Sequence, residues 1–390
     1  MSGNYKKLGD YIQPVDVRNS DLKVSHLLGV SVEKCFIESI ANTIGTDFSK
    51  YKIVRKGQFT YIPDTSRRGD KIGIALLTDF DEGLVSNIYT VFEITDTSKL
   101  LPEYLMLWFS RPEFDRYARF KSHGSVREIF DWDEMCRVEL PVPDLTEQQR
   151  VVNAYNTVDR RIRLLQQINE KLEKCITLNY KENCIHQSPL PEKWKFEELG
   201  NLDLDITDGN YSTRYPKYNE FVKEGIPFIR GTDFQGKYIS NKKLLFITPK
   251  KHSELLSGHT KKNDILMSTR GEIGKIAFVP DSLINSNINS QLVRFNGYNK
   301  YPRVFLAYCL TSELTKKEIA ATITGSVQAQ LPMCKLKKLK ILLPPDEVIN
   351  TFAINNSPIL NKILENENEI SNLQDLKQII ISRISEIKKG

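Results

Sequence analysis

Arg67, Arg68 and Lys71 crowd around Gly69, and two hundred positions later Arg270 and Lys275 flank Gly271 and Gly274. Glycine lets a backbone approach a large partner closely. Lys and Arg on such a loop neutralise phosphate, and a guanidinium forks onto O6 and N7 of guanine. Arg127 and Gln328 each follow a Gly-Ser-Val turn, Gly124–Val126 and Gly325–Val327, and a glutamine amide suits N6 and N7 of adenine. Arg214 and Arg230 lie on turn-rich stretches of the C-terminal half. Arg67, Arg68, Lys71, Arg127, Arg214, Arg230, Arg270, Lys275 and Gln328 therefore form the candidate DNA-contacting set. Taken singly, each is as well explained as a solvated surface charge; taken together they are not. The run Lys335–Lys340 reads better as a strand leading to Pro344 than as a phosphate contact.

Chemistry of other kinds finds no support. The chain has no Asn/Asp-Pro-Pro-aromatic run of the kind that holds an exocyclic base nitrogen for methylation. It also has no His-Glu-x-x-His, no nucleophile elbow and no acid pair with a following lysine for phosphodiester cleavage. Gly271-Glu272-Ile273-Gly274-Lys275 lacks the spacing of a phosphate loop and its following Ser or Thr. The six cysteines are scattered, with no close pair at metal-ligand spacing, and read as reduced, mostly buried thiols. The five histidines form no metal pattern either. The expectation is a non-catalytic chain with no metal and no cofactor of its own.

Charge and length bound the rest. A net charge of +6 permits a polyanionic partner without demanding one. With 390 residues, 40% hydrophobic and 27% charged, the chain is globular and too long for one ordinary core. It lacks an apolar run of the ~18 residues a membrane helix needs, and Met1–Lys7 has no apolar signal core, so a cytoplasmic location is expected.

The elements that would position these residues come in two copies. Arg68-Gly69-Asp70-Lys71-Ile72-Gly73-Ile74-Ala75 matches Arg270-Gly271-Glu272-Ile273-Gly274-Lys275-Ile276-Ala277. Ser86-Asn87-Ile88 recurs at 286, Gly124-Ser125-Val126 at 325 and Leu140-Pro141 at 343, while Leu8-Gly9 resembles Leu199-Gly200. Each match is short, but five in one order describe a tandem duplication. Each half opens with short strands punctuated by Gly, Asp and Asn, and has one short helix, near Pro102–Phe109 or Pro302–Leu310.

Each half then closes on a long helix. Val151, Tyr155, Val158, Ile162, Leu165, Leu172 and Ile176 follow 4-3-4-3 spacing, with Asn169 filling the remaining seam position as a register device. Ile359, Ile363, Ile370, Leu373, Ile380, Ile384 and Ile387 do the same, interrupted by Asn366 and Lys377, with Ser357-Pro358 as cap and first residue. Helices of ~36 and ~30 residues would span roughly 54 and 45 Å. Packed antiparallel, they would hold the two globular parts apart.

Pro141–Val152, with its proline boundary and Thr146-Glu147-Gln148-Gln149 helix start, resembles the corresponding junction of type I restriction–modification specificity subunits. Leu190-Pro191-Glu192-Lys193-Trp194 through Leu199-Gly200, Asp264–Lys275 and Gly325–Gln328 are similar to the opening and two internal motifs of that family's second recognition domain. Gln58–Pro63 and Asp346-Glu347-Val348 depart from the pattern. The resemblance implies an α+β architecture with a pseudo-twofold internal repeat. Two mixed α/β target-recognition domains, 1–144 and 189–345, are separated by helical spacers, 145–188 and 346–390, that form an antiparallel coiled coil. It implies double-stranded DNA as ligand, read as a split asymmetric target, and two methyltransferase subunits as partners, with up to two ATP-dependent restriction subunits joining. S-adenosylmethionine and ATP then belong to those partners. The competing expectation is an autonomous DNA-binding regulator, followed by a scaffold that binds no DNA.

Overall fold

The computed structural model describes residues 5–39, 45–65, 71–124, 128–185, 189–211, 215–298, 300–323 and 329–386. It divides into two compact units: Met1–Ile162 with Leu373–Gly390, and Arg163–Asn372.

The strands of unit 1 that concern the site are β1 (Tyr5–Lys7), β2 (Ile12–Val15), β3 (Phe59–Tyr61), β4 (Ile74–Leu76), β5 (Thr90–Ile94) and β6 (Glu139–Pro141). An antiparallel sheet runs in the order β2-β5-β3-β4, while β1 pairs with β6. Helices α1 (Pro102–Phe109) and α2 (Pro112–Lys121) pack on this sheet, and each begins with the proline that a first turn tolerates. Phe59 and Phe92 stack at 4.9 Å between ring centroids, and the Phe109 edge meets both. That aromatic cluster is the centre of the unit's core.

Unit 2 repeats this plan with β7 (Lys195–Glu198), β8 (Asp205–Asp208), β9 (Ile265–Ser268), β10 (Ile276–Phe278), β11 (Leu292–Asn296) and β12 (Lys340–Leu343). The sheet order is β8-β11-β9-β10, and β7 pairs with β12. A smaller sheet formed by Phe221–Val222, Ile226–Ile229, Leu245–Ile247 and Asn287–Ile288 is added. The long helices are α3 (Leu145–Cys184) and α6 (Asp346–Arg383), and the short ones in unit 2 are α4 (Arg303–Leu310) and α5 (Glu313–Thr322). Every residue of α4 from Val304 to Leu310 is buried, as its unbroken apolar run requires.

The repeated Leu-Gly pair has a packing reason. Leu8 N–H donates to Val138 O and Leu199 N–H to Leu339 O, at 2.8 and 3.0 Å. A Cβ on Gly9 would stand 2.9 Å from Cys136 Cβ, and one on Gly200 3.0 Å from Lys337 O. In both units the chain passes a helix end so closely that only glycine fits without displacement.

Within unit 2 the long helices meet antiparallel along a polar-studded seam. Asn169 Nδ2 donates to Glu367 Oε1 at 2.8 Å, Asn366 Nδ2 to Asn169 Oδ1 at 2.7 Å, and Asn179 Nδ2 to Asn356 Oδ1 at 3.0 Å. Moving ten residues up α3 moves the partner ten residues down α6, which defines the direction. Within unit 1, Lys377 Nζ reaches Asp159 Oδ1 at 2.5 Å and lies over the Tyr155 ring.

Several expectations need correction. Helix α6 begins at Asp346, not at Pro358, which lies inside it. Pro344 and Pro345 force the start, and two acids in the first turn complement the helix dipole. Pro358 withholds an N–H from Ile354 O, but both residues are on the exposed side, where water can serve. The C-terminal seam runs through Leu360 and Ile381, each more buried than Ile359 and Ile380; Ile387 lies outside the described residues. The run Lys335–Lys340 first completes a short helix, Met333–Leu336, and only Lys340 enters β12. Cys184 and Cys309 are buried, Cys136 is half-buried, and Cys35, Cys175 and Cys334 are exposed, so the thiols are not mostly buried. Helices α2 and α5 were not anticipated.

Candidate nucleic-acid interface

In both units the loop after the third strand is stitched to the segment that follows the second short helix. In unit 1, Thr65 N–H donates to Glu128 O at 3.0 Å and Phe130 N–H to Pro63 O at 2.9 Å, bridging Asp64 to Ile129. In unit 2, Leu331 N–H donates to Thr269 O at 3.0 Å, bridging Arg270 to Gln330. Segments some sixty residues apart in sequence, around Asp64 and Ile129 and around Arg270 and Gln330, therefore meet in each unit.

Strand register refines the internal repeat. Phe59 and Ile265 hold matching places in their sheets, opposite Phe92 and Phe295, so Asp64 corresponds to Arg270. The sequence match had aligned Arg68 with Arg270. Both alignments hold at their own ends of the loop. Tyr61 and Ile74 are thirteen positions apart, whereas Met267 and Ile276 are nine. The first unit's loop is four residues longer.

Of the candidate contacts, Arg67, Arg68, Arg127, Arg214 and Gln328 lie outside the described residues. Lys71 is half-exposed, and its Nζ pairs with Glu33 Oε1 at 2.7 Å. The next residue, Ile72, is clamped: its N–H donates to Asp115 Oδ1 at 3.1 Å, and its carbonyl accepts from Lys34 Nζ at 2.8 Å. Lys34 and Asp115 also pair with each other at 2.5 Å with little exposure, and burial lowers the Lys34 pKa despite that carboxylate. This buried pair anchors the end of the long loop.

In unit 2, Lys275 pairs with Glu272 at 2.8 Å on the exposed turn. Arg230 is taken up by a turn, with Nη2 on Asp233 Oδ1 at 2.8 Å and on Lys243 O at 2.9 Å. Arg270 is exposed, and among the described residues its side chain has no hydrogen-bond or ion-pair partner. Gly271, at φ +70° with open space around its Cβ position, turns the chain away immediately after it. Tyr211 is half-exposed; burial and the Asp208 carboxylate raise the phenol's pKa, and the Arg270 charge opposes them.

At the opposite end of β9 from this loop is a buried ionic network. Arg294 on β11 reaches Asp205 at 2.5 Å and Asp264 at 3.2 Å, and Asn296 donates to Asp264 at 2.6 Å. Burial pushes Asp205 up, but hydrogen bonds from Lys261, Arg294 and Tyr298 outweigh it and bring the pKa down to about 2. For Asp264 burial wins, and its pKa is raised. Among the described residues, no three His, Cys, Asp or Glu side chains could together hold a metal ion, and no helix is long and apolar enough to cross a membrane.

Sequence reasoning missed Gln330 and Tyr211. Gln328 had been favoured because it follows the turn directly. The signal for Gln330 is the pairing partner of Arg270, which only the fold supplies.

Two copies of one sheet-and-helix unit, each with a stitched polar loop edge and joined by long helices, define a tandem-repeat recognition protein. The chain belongs to the type I restriction–modification DNA specificity domain family, whose model matches residues 2–174 and 191–380. It is similar to the specificity subunit of type I restriction enzyme MjaVIII from Methanocaldococcus jannaschii, with 22% identity over 98% of this chain and 89% of that protein. It also resembles the MjaIX specificity subunit of that organism, with 23% identity over 73% of this chain and 68% of that protein. Its fold matches the S subunit of the type I restriction–modification system of M. genitalium, with a TM-score of 0.60 and 14% identity over 99% of this chain and 96% of that one.

Proposed function

We propose that this specificity subunit reads a split, asymmetric target in double-stranded DNA, one half-site per recognition domain, and carries no catalytic chemistry itself. The observation that carries the reading is the pair of stitched loop edges, built at equivalent strand registers in both units but bearing different side chains. A repeated scaffold with unlike reading edges is what a non-palindromic target requires. Lys71, Arg270 and Lys275 are the proposed contacts among the described residues, and Arg67, Arg68, Arg127, Arg214 and Gln328 extend that set. Arg230 joins it only if DNA draws it away from Asp233.

In this reading the recognition domains are 1–144 and 189–345, and the segments 145–188 and 346–390 are the spacers that dock two methyltransferase subunits. S-adenosylmethionine binds those subunits, and ATP binds the restriction subunits where they join; the chain takes neither and works in the cytoplasm. The test is co-expression of the full chain with the methyltransferase subunit, followed by methylome sequencing. A stable complex that methylates one bipartite motif supports the proposal. A chain that binds duplex DNA in salt-dependent fashion yet recruits no methyltransferase is an autonomous regulator instead.

A further inference from the structure

Arg270 and Gln330 face each other across an antiparallel bridge closed by Leu331 N–H to Thr269 O. That pattern, with bonds between the flanking residues, marks a non-hydrogen-bonded pair. In such pairs the Cα atoms are about 4.5 Å apart and both side chains project from the same face. Both residues are exposed, and among the described residues neither side chain has a polar partner. The other described arginines of unit 2 differ: Arg230 and Arg294 hold carboxylates, Arg303 holds Asn361, and Arg163 is engaged too.

We infer that Arg270 and Gln330 form a base-reading dyad that specifies a guanine next to an adenine in the half-site read by unit 2. The inference rests on the proposed DNA-reading function and names the bases it implies. In the major groove a guanidinium forks onto guanine O6/N7 and a carboxamide onto adenine N6/N7. Side chains whose Cβ atoms are about 5 Å apart can converge on neighbouring bases about 3.4 Å apart along a strand. Gly271 removes any side chain that would crowd the approaching duplex. The equivalent bridge of unit 1 carries Asp64 and Ile129, so this position of the repeat differs between units where the bases they read must differ.

The experiment is selection of duplexes from a randomised library by the full chain and by its Arg270→Ala, Arg270→Lys and Gln330→Ala variants. Thermal unfolding verifies that each exposed substitution leaves the fold intact. Arg270→Ala should lower the preference for guanine at one position by roughly tenfold to a hundredfold, with the other half-site unchanged. Gln330→Ala should relax the adjacent adenine, and Arg270→Lys should retain part of the guanine preference. Variants that fold and select the wild-type motif unchanged overturn the dyad while leaving DNA recognition standing. A wild-type chain that enriches no sequence overturns the recognition reading and the dyad with it.

Discussion

The polar knot in the helix seam of unit 2 invites a double-mutant cycle. Asn169 and Asn366 are 5% and 1% exposed, and among the described residues Asn169 is the one hydrogen-bond partner of the Asn366 amide. Replacing Asn169 with Leu strands that donor and removes the donor to Glu367, whose carboxyl pKa burial already raises. At about 1–3 kcal/mol for each buried group left unpaired, the single substitution should cost about 2–4 kcal/mol. Asn366→Leu should cost less, about 1–2 kcal/mol, because its Oδ1 is already without a partner and only one bond is lost. The double variant leaves two leucines facing each other on an apolar heptad seam and removes the stranded Asn366 amide, so it should be more stable than Asn169→Leu, while the lost donor to Glu367 keeps it below the wild type. Hydrogen exchange read by mass spectrometry over residues 163–185 and 352–372 measures the effect locally. The Asn169→Leu segment should exchange roughly thirtyfold to a thousandfold faster, and the double variant more slowly than Asn169→Leu. Additive losses would refute the reasoning, because they would mean that the two amides do not depend on each other.

Two further outcomes follow from buried charge. His259 stacks on His252 at 4.6 Å, and its pKa is lowered by burial first, then by His252 and Arg294. A depressed folded-state pKa gives stability that is present above the unfolded value near 6.5 and lost as pH falls through the folded value. Thermal unfolding of the wild type should therefore weaken from pH 7 to pH 5 more steeply than that of His259→Gln, and parallel profiles would contradict the assignment. Removing one partner of the buried Lys34–Asp115 pair, as in Asp115→Ala, should cost about 3–5 kcal/mol in urea denaturation, whereas the apolar pair Lys34→Met with Asp115→Leu should cost far less.

Much of the architecture was legible because it is written in repeats and periods. The Leu-Gly and Leu-Pro matches mark places where close packing or a proline boundary leaves few residue choices. The long helices showed through their 4-3 spacing, and Asn169 stood out as a seam position. What stayed hidden depended on partners. A helix turns 100° per residue, so Ile359 and Leu360 are equally apolar neighbours, and only the position of the facing helix decides which one is buried. Pro358 looked like a helix start because its effect on a carbonyl is tolerable only on a wet face, and wetness cannot be read from the chain. The loop between β3 and β4 matched its counterpart from the downstream end, so the four-residue insertion was invisible and Asp64 was never compared with Arg270. Gln330 was passed over for the same reason: its importance comes from its bridge partner.

The make-up of unit 1 bears on how the chain folds as it is synthesised. Its core joins Leu8, Val151 and Val152 to Ile384, and the Tyr5 hydroxyl donates to Ser385 O at 3.1 Å. The first unit to leave the ribosome is thus the last to be finished, since unit 2 lies wholly between its two segments. At about 5–20 residues per second, the apolar face of Val151 and Val152 waits on the order of 10–45 s for Ile384 to appear. The nascent first half must stay soluble with that face uncovered, while the second half folds ahead of it.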